Sequence, residues 1–306
     1  MKAVEYEALH QIVGPLEVVV RHQVLDLVRQ VREFDGIEAI SEAPLMALTD
    51  GDPSVTHILA WKNGELAGYC QRDAEGVSAE LAVAPGARRF GLAKAIVHAL
   101  TVDTPKVRLW AHGDLGAARI VAESVGLRAV RELWEMSSDR AGHQILPSET
   151  GTSDSAGTYK VRSFDPRTDR GTWIELNAAA FDTHPEQGKL TVADLDRRMG
   201  EGWFDPAGLL FASPVLADGK IGSPLGYVWT KIVDGVGEIY AIGVHPSAQG
   251  RRLGTKLLEI GLGHLERQGV AEVRLFVEAD NAPAIAAYHR QGFTLTRRDV
   301  QYAFDS

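Results

Sequence analysis

Residues 236–254 read VGEIYAIGVHPSAQGRRLG, and residues 77–93 read VSAELAVAPGARRFGLA. Each is a short apolar run, then a proline, then a turn rich in arginine and glycine, after which an apolar stripe at helical spacing begins. A helix that starts this way presents unpaired N–H groups and the positive end of its dipole, which suits a pyrophosphate. Small residues let such a ligand approach the backbone. One glycine-rich turn is weak grounds for a ligand, because glycine also serves merely to reverse the chain. Two in the same setting are informative.

Outward from these turns the order of signals repeats. In the first half Val20, Val24, Leu27, Val28 and Val31 form a helical stripe closed by Gly36. HILAW (57–61) and LAGYC (66–70) flank Asn63-Gly64, a hairpin turn. After the turn Ala93, Ile96, Val97 and Leu100 share a helix face, KVRLWAH (106–112) is a strand, and a helix ends at Gly126. In the second half residues 209–230 read as a longer hairpin, and the helix after the turn carries Leu253, Leu257 and Ile260 on one side and Leu258, Leu262 and Leu265 on another. VRLFVEA (273–279), a helix up to Gly292 and a final strand follow. Pro85 matches Pro246 and Arg88 matches Gln249 at an offset of 161 (246 − 85); beyond the helix the offset is 166 (273 − 107), so Val107-Arg108-Leu109 matches Val273-Arg274-Leu275 and Gly126 matches Gly292. Two copies of one domain are expected, over residues 1–140 and 159–306, joined by a Ser/Thr/Gly-rich linker at 141–158. Strands alternating with helices place each copy in the α/β (α+β) class, a mixed sheet flanked by helices.

A chain of 306 residues that is 45% hydrophobic and 24% charged is long enough and apolar enough to bury two cores. No apolar run approaches a membrane span, and the polar start argues against a secretory signal. Cys70 is the sole cysteine and the histidines are scattered, which excludes an intrachain disulfide, gives no metal site and suits a reducing cytoplasm. A net charge of −9 argues against nucleic acid. A cytoplasmic monomer acting on a small molecule is the expectation.

The two turns resemble the R/Q-x-x-G-x-G/A acetyl-CoA motif of the Gcn5-related N-acetyltransferases (GNAT). The first fits throughout, and the second departs at Arg252, where the family usually has glycine. Tyr288-His-Arg-Gln-Gly292-Phe293 resembles the family's helix beside the thiol end of coenzyme A. The resemblance implies two tandem GNAT domains. Acetylating an amine needs a base for the amine and an acid for the departing thiolate. In this family a carboxylate on the strand before the turn often serves as the base, which points to Glu238. Tyr288, two helical turns after Asn281, has the phenol to act as the acid. The offsets carry Glu238 to Val77 and Tyr288 to Ala122, so the first half lacks both groups; Glu80 aligns with Ala241, and its odd spacing places it on the opposite strand face. The first copy is therefore expected to be non-catalytic, either binding its own acetyl-CoA, one per domain, as a structural or regulatory element, or serving as a scaffold.

Within the family, residues 177–188 (NAAAFDTHPEQG), 203–206 (WFDP), 226–231 (GYVWTK) and 237–244 (GEIYAIGV), with Asp35, Gly36 and 110–113 (WAHG), are similar to tandem members that acetylate the cysteinyl amine of a cysteine–glucosamine–inositol thiol. This resemblance implies substrate contacts at Glu42, Glu186, Lys231, Glu238 and Phe276, the last where the family often has tyrosine. It implies one acetyl-CoA on Leu81, Ala82, Val83, Arg89, Phe90, Gly91, Leu92, Ala93 and Lys94. The other would lie on Ile242, Gly243, Val244, Gln249, Gly250, Arg251, Arg252, Leu253, Gly254 and Thr255, with Asn281, Ala282, Pro283, Ala284, Ile285 and Ala286. On the residues alone, Glu42, Glu186 and Lys231 read as surface charges. An acetyltransferase for another amine (an aminoglycoside or a peptide N-terminus) and a non-catalytic acyl-CoA sensor remain open as alternatives.

Overall fold

The computed structural model describes residues 9–139, 159–182, 184 and 187–304; the expected linker at 141–158 lies outside them. The chain divides into two compact units, Met1–Trp134 with Glu278–Asp280 and Arg297–Ser306, and Glu135–Val277 with Asn281–Thr296. This departs from a clean division between the two copies at the C-terminus, where the last residues count with the first unit. The reason is hydrogen bonding: the final strand pairs with a first-unit strand. Among the described residues no helix is long and apolar enough to cross a membrane.

The first unit runs β1 (His10–Val13), α1 (Val18–Asp35), α2 (Glu42–Asp50), β2 (Thr56–Lys62), β3 (Glu65–Arg72), β4 (Ser78–Val83), α3 (Leu92–Asp103), β5 (Arg108–Ala111), α4 (Gly116–Val125) and the start of β6 (Arg128–Asp139). The second runs β7 (Tyr159–Ser163), α5 (Arg170–Ala180), α6 (Val192–Met199), β8 (Leu209–Pro214), β9 (Gly226–Val233), β10 (Val236–Val244), α7 (Leu253–Arg267), β11 (Glu272–Glu278), α8 (Ala282–Arg290) and the start of β12 (Thr294–Ala303). The first sheet is ordered β1-β2-β3-β4-β5-β12 and the second includes β11-β10-β9-β8-β7. In each, neighbours are antiparallel except one pair, β4 with β5 and β10 with β11. The Asn63-Gly64 turn holds both residues left-handed, φ 54° and 79°, as a two-residue hairpin requires. Asp234-Gly235 makes the same turn between β9 and β10.

Both faces of the first sheet are covered. The α1 stripe Val24, Leu27, Val28 and Val31 packs with Leu59, Tyr69 and Ala82, while Leu92, Ile96, Val97 and Leu100 of α3 pack with Ile58, Cys70, Ala79 and Val83 on the other side. In the second unit Trp173, Leu176 and Leu195 from α5 and α6 pack with Phe211, Tyr227 and Trp229 on one face. On the other face α7 lies close: a Cβ on Gly226 would come within 2.7 Å of Leu257 Cδ1, and one on Gly261 within 2.7 Å of Val228 Cγ2.

One feature of the first core is charged. Glu80 on β4 accepts from the Ser41 N–H at 2.5 Å and from its hydroxyl at 2.6 Å. His112, just past β5, lies 3.4 Å from Glu80 Oε1 through Nε2 and 3.1 Å from Asp299 Oδ2 of β12 through Nδ1. The Gly113 N–H donates to Asp299 Oδ1 at 2.7 Å. Burial opposes a charge on His112, but Glu80 and Asp299 outweigh it and push its pKa up to about 10. Burial likewise raises Asp299, yet its partners, His112 first, bring it below the usual carboxylate range. His112 therefore keeps in the fold a proton that the unfolded chain releases above its reference pKa. Its contribution is complete below about pH 6.5 and is lost as pH rises toward 10. Asp299 contributes above its ordinary pKa of 3.8, and that is lost on acidification. Urea unfolding at pH 6, 8 and 9.5 should show stability falling by at most about 1.4 kcal/mol per pH unit. Asp299→Ala should remove about 3–5 kcal/mol at pH 6 and flatten that slope; an unchanged slope would show that His112 is neutral in the fold.

Candidate active site

The two glycine-rich turns share one backbone. Arg88 Nε donates to the Val83 carbonyl at 3.1 Å and Gln249 Nε2 to the Val244 carbonyl at 3.3 Å, so the first residue of each turn ties it to the strand before it. Arg88 also pairs with both oxygens of Asp35 at 2.7 Å. The second and fourth residues are left-handed in both copies: Arg89 (φ 68°) and Gly91 (φ 87°), Gly250 (φ 74°) and Arg252 (φ 59°). Each copy places glycine at one of the two positions, and they differ in which. Arg252 therefore leaves the turn intact. The first intrahelical bonds beyond the turns are Ala95 N–H to the Gly91 carbonyl and Lys256 N–H to the Arg252 carbonyl, which leaves the preceding N–H groups facing outward as an anion cradle. A Cβ on Gly91 or Gly250 would meet nothing within 4 Å, and one on Gly254 only Val244 Cγ2 at 3.7 Å. Packing does not demand small residues here; they leave room in front of the helix start. In this turn the counterpart of Gly254 is Ala93, and that of Gly91 is Arg252.

Polar residues gather on the α5 side of the second sheet. Glu238 lies opposite Lys231 of β9 in the antiparallel register and opposite Arg274 of β11 in the parallel register, so the three side chains share a face. Arg274 Nε donates to Glu238 Oε2 at 3.1 Å. Glu238 and Lys231 are buried. Lys231 Nζ sits 4.5 Å over the Trp203 ring and 5.2 Å over Tyr240, and Arg198 Nε donates to the Tyr240 hydroxyl at 3.0 Å. Phe276, two residues beyond Arg274, lies on the same strand face. Tyr240 is a bulge residue: the pairing with β9 jumps from Ile239 to Ala241.

Asn281 caps α8 by accepting from the Ala284 N–H at 3.2 Å. Tyr288 is on that helix, its ring 6.1 Å from Phe293. Burial pushes its hydroxyl up to about 12, so it is a phenol, not a phenolate, at neutral pH. Asn177 of α5 accepts from the Tyr227 hydroxyl at 2.7 Å and donates to the Gln187 carbonyl at 2.6 Å. A Cβ on Gly188 would fall 2.1 Å from the Phe181 carbonyl oxygen, which explains glycine there. Glu186 lies outside the described residues.

The first unit differs from expectation in register. Across β4 and β5, Ser78 pairs with Arg108, as Glu238 pairs with Arg274. The counterpart of Glu238 is thus Ser78, not Val77, because the Tyr240 bulge adds a residue to β10. The bulge also resets the alternation, so Glu80, like Ser78, lies on the face of β4 that corresponds to the Glu238 face of β10, contrary to the odd spacing. It bonds to Ser41, next to Glu42, the first residue of α2. Arg274, Trp203, Tyr240 and the Ser41–Glu80–His112–Asp299 group carry no local sequence signal that marks them as partners of a site.

A strand–turn–helix cradle at the end of a strand that also carries a buried carboxylate is the equipment of an acyl-CoA-dependent transferase, and residues 172–293 match the Acetyltransferase (GNAT) family. Two solved structures share the fold: a GCN5-related N-acetyltransferase from Sphaerobacter thermophilus (TM-score 0.67, 23% identity, 96% of this chain and 94% of that one) and a tandem GNAT protein from the clavulanic acid biosynthesis pathway (TM-score 0.67, 18% identity, 96% and 98%). Proteins named mycothiol acetyltransferase from Cellulomonas flavigena (41% identity, 94% of this chain, 87% of that one) and Sanguibacter keddieii (41%, 95% and 95%) are similar over almost the whole length. The chain belongs to the mycothiol acetyltransferase family, and is an acetyl-CoA-dependent N-acetyltransferase.

Arg252 carries a left-handed backbone without glycine's freedom, at a cost of about 1–2 kcal/mol. Arg252→Gly should therefore raise stability by about 1 kcal/mol, or a few degrees in Tm. Thermal melts would check it; a lower Tm would mean that the arginine side chain contributes more than the turn costs.

Proposed function

We propose that the chain transfers acetyl to the cysteinyl amine of the cysteine–glucosamine–inositol conjugate, giving mycothiol and coenzyme A, as a cytoplasmic monomer. The whole-length similarity to proteins named mycothiol acetyltransferase carries the substrate. The Lys231–Glu238–Arg274 row, with Lys231 and Glu238 buried, supports the chemistry. Acetyl-CoA supplies the acetyl group as a thioester. Gln249, Gly250, Arg251, Arg252, Leu253, Gly254 and Thr255 would hold its pyrophosphate, with Ile242 to Val244 and the start of α8 beside it. Glu238 takes a proton from the amine, directly or through water, as the nitrogen bonds the acetyl carbon. Tyr288, kept protonated by burial, gives a proton to the sulfur as the carbon–sulfur bond breaks. Within the second unit, Glu186, Lys231 and Phe276 are assigned to the acceptor. The first unit binds a second acetyl-CoA on its own turn and carries out no transfer; Glu80, the carboxylate on the matching face, is already taken up by Ser41 and His112.

The product should be N-acetylated with its thiol free, as shown by mass spectrometry with thiol titration; an S-acetyl product or a preference for aminoglycosides would overturn the substrate. Glu238→Gln should lower turnover by roughly 10²–10⁴-fold at pH 7. The deficit should shrink at higher pH as the amine, with a pKa near ~7.7–8.0, loses its proton unaided. Near-normal turnover at pH 7 would make Glu238 a bystander.

Matched substitutions test the division of labour. Gly254→Trp, in the first turn of α7, fills the space in front of the helix start and should abolish turnover. Ala93→Trp, its counterpart in the first turn of α3 and packed against the first core, should remove one bound acetyl-CoA while leaving measurable transfer, with melting curves establishing that both variants are folded. Calorimetry counts the cofactor and a coupled assay follows turnover. If Ala93→Trp alone kills activity, the chemistry belongs to the first unit.

A further inference from the structure

A tyrosine recurs in both copies, one residue after a glycine: Gly68-Tyr69 on β3 and Gly226-Tyr227 on β9. The registers match, with Tyr69 opposite Ala82 of β4 and Tyr227 opposite Gly243 of β10. Both tyrosines are wholly buried, and a buried phenol needs a partner for its hydroxyl. The two find different ones. Tyr69 stays among the strands of its own sheet, 2.8 Å from His57 Nδ1 and donating to Gln71 Oε1 at 2.6 Å. Tyr227 leans across β10: a Cβ on Gly243 would run into its ring, so glycine is what lets the ring pass. Its hydroxyl then reaches α5 and donates to Asn177 Oδ1 at 2.7 Å. Asn177, also buried, donates through Nδ2 to the Gln187 carbonyl at 2.6 Å and accepts from Gln187 Nε2 at 3.2 Å. One side-chain amide thus holds Gln187 by backbone and side chain together. Contacts therefore run without a break from Gly243, on the strand end proposed to lie beside acetyl-CoA, to Gln187, which follows Glu186 in the sequence.

We infer that Tyr227 and Asn177 are positioning residues for the acceptor: they tie the segment Gln187–Lys189 to the cofactor strand, so that the acceptor amine is bound in line with the thioester. Both side chains are enclosed and act through Gln187. Holding two reactants in register is worth more than either contact alone, and a displacement of about 1 Å far from the chemistry is felt in the kinetics. The inference rests on the assignment of Glu186 to the acceptor.

Tyr227→Phe keeps the ring and removes the hydroxyl, which takes a donor from a buried amide. It should raise the KM for the acceptor amine roughly 5–50-fold, the scale of one buried polar group left short of a partner. The KM for acetyl-CoA should change by less than about twofold and kcat by less than about threefold. Asn177→Leu should have the same effect, and adding Tyr227→Phe to it should cost less than about twofold more, because the amide to be held is gone. Hydrogen exchange reads the positioning without a substrate. The Gln187 amide, which donates to His184 Nδ1 at 2.9 Å, should exchange at least about tenfold faster in Tyr227→Phe, with the amides of β10 unchanged. Melting curves establish that each variant is folded. A role confined to the core predicts that both KM values move together, or that neither moves; either result, or unchanged exchange at Gln187, would overturn the inference. The kinetics use whichever amine of a panel the wild-type protein acetylates fastest, so a wrong substrate assignment shows as a different best amine and leaves the comparison readable. A protein that acetylates no amine in the panel would overturn both readings.

Discussion

Each unit contains one parallel strand pair in an otherwise antiparallel sheet, and this constraint organises the rest. Parallel neighbours cannot be joined by a tight turn; the chain must cross over, here through α3 between β4 and β5 and through α7 between β10 and β11. The crossover helix must begin where the first strand of the pair ends. Strand carboxyl end and helix amino end therefore coincide, which is where an open α/β sheet holds its ligands. The alternating left-handed residues, Arg89 and Gly91 or Gly250 and Arg252, make that reversal in a few residues. Two different placements of glycine give the same turn, so the backbone path is the invariant and the residue types follow it.

A single extra residue then separates the two copies. With Tyr240 inserted, β10 keeps the register of its upper half, and its lower half is shifted by one relative to β4. A bulge both restores the face of the residues below it and bends the strand. Glu238 thereby shares a sheet face with Lys231, Trp229 and the bulged Tyr240 itself, whose ring meets Trp203 at 5.1 Å and Trp229 at 5.2 Å. Without the bulge, Glu238 would point to the α7 side, where Gly237 now sits so close that a Cβ would come within 2.8 Å of Val270. The bulge is what puts a carboxylate in reach of the polar row.

Much of this was legible because it depends on local chemistry. The α1 stripe, the Asn63-Gly64 hairpin, the helix starts after Pro85 and Pro246 and the internal repeat all follow from residues near one another in the chain. Asp234-Gly235 carried the same signal as Asn63-Gly64 and went unused. The features missed depend on register between distant segments. Arg274 meets Glu238 36 residues away, and His112 meets Asp299 187 residues away. A constant offset cannot see a bulge, which is why Val77 and not Ser78 was matched to Glu238.

The two units finally differ in how a buried carboxylate on one sheet face is neutralised. Glu80 has both oxygens engaged from within the chain, by the N–H and hydroxyl of Ser41 and by His112. Such a group holds the N-terminus of α2 and the end of β5 together, and through His112 it holds Asp299 of the final strand. Glu238 accepts from Arg274, a partly exposed arginine on the neighbouring strand. A base must reach the proton it removes, so a carboxylate enclosed by backbone, hydroxyl and imidazole serves structure, and one whose partner reaches the edge of the site can serve proton transfer. The repeat thus uses one physical problem, a charge inside a protein, in two ways: as a clamp in the first copy and, on the proposed mechanism, as a poised acceptor in the second.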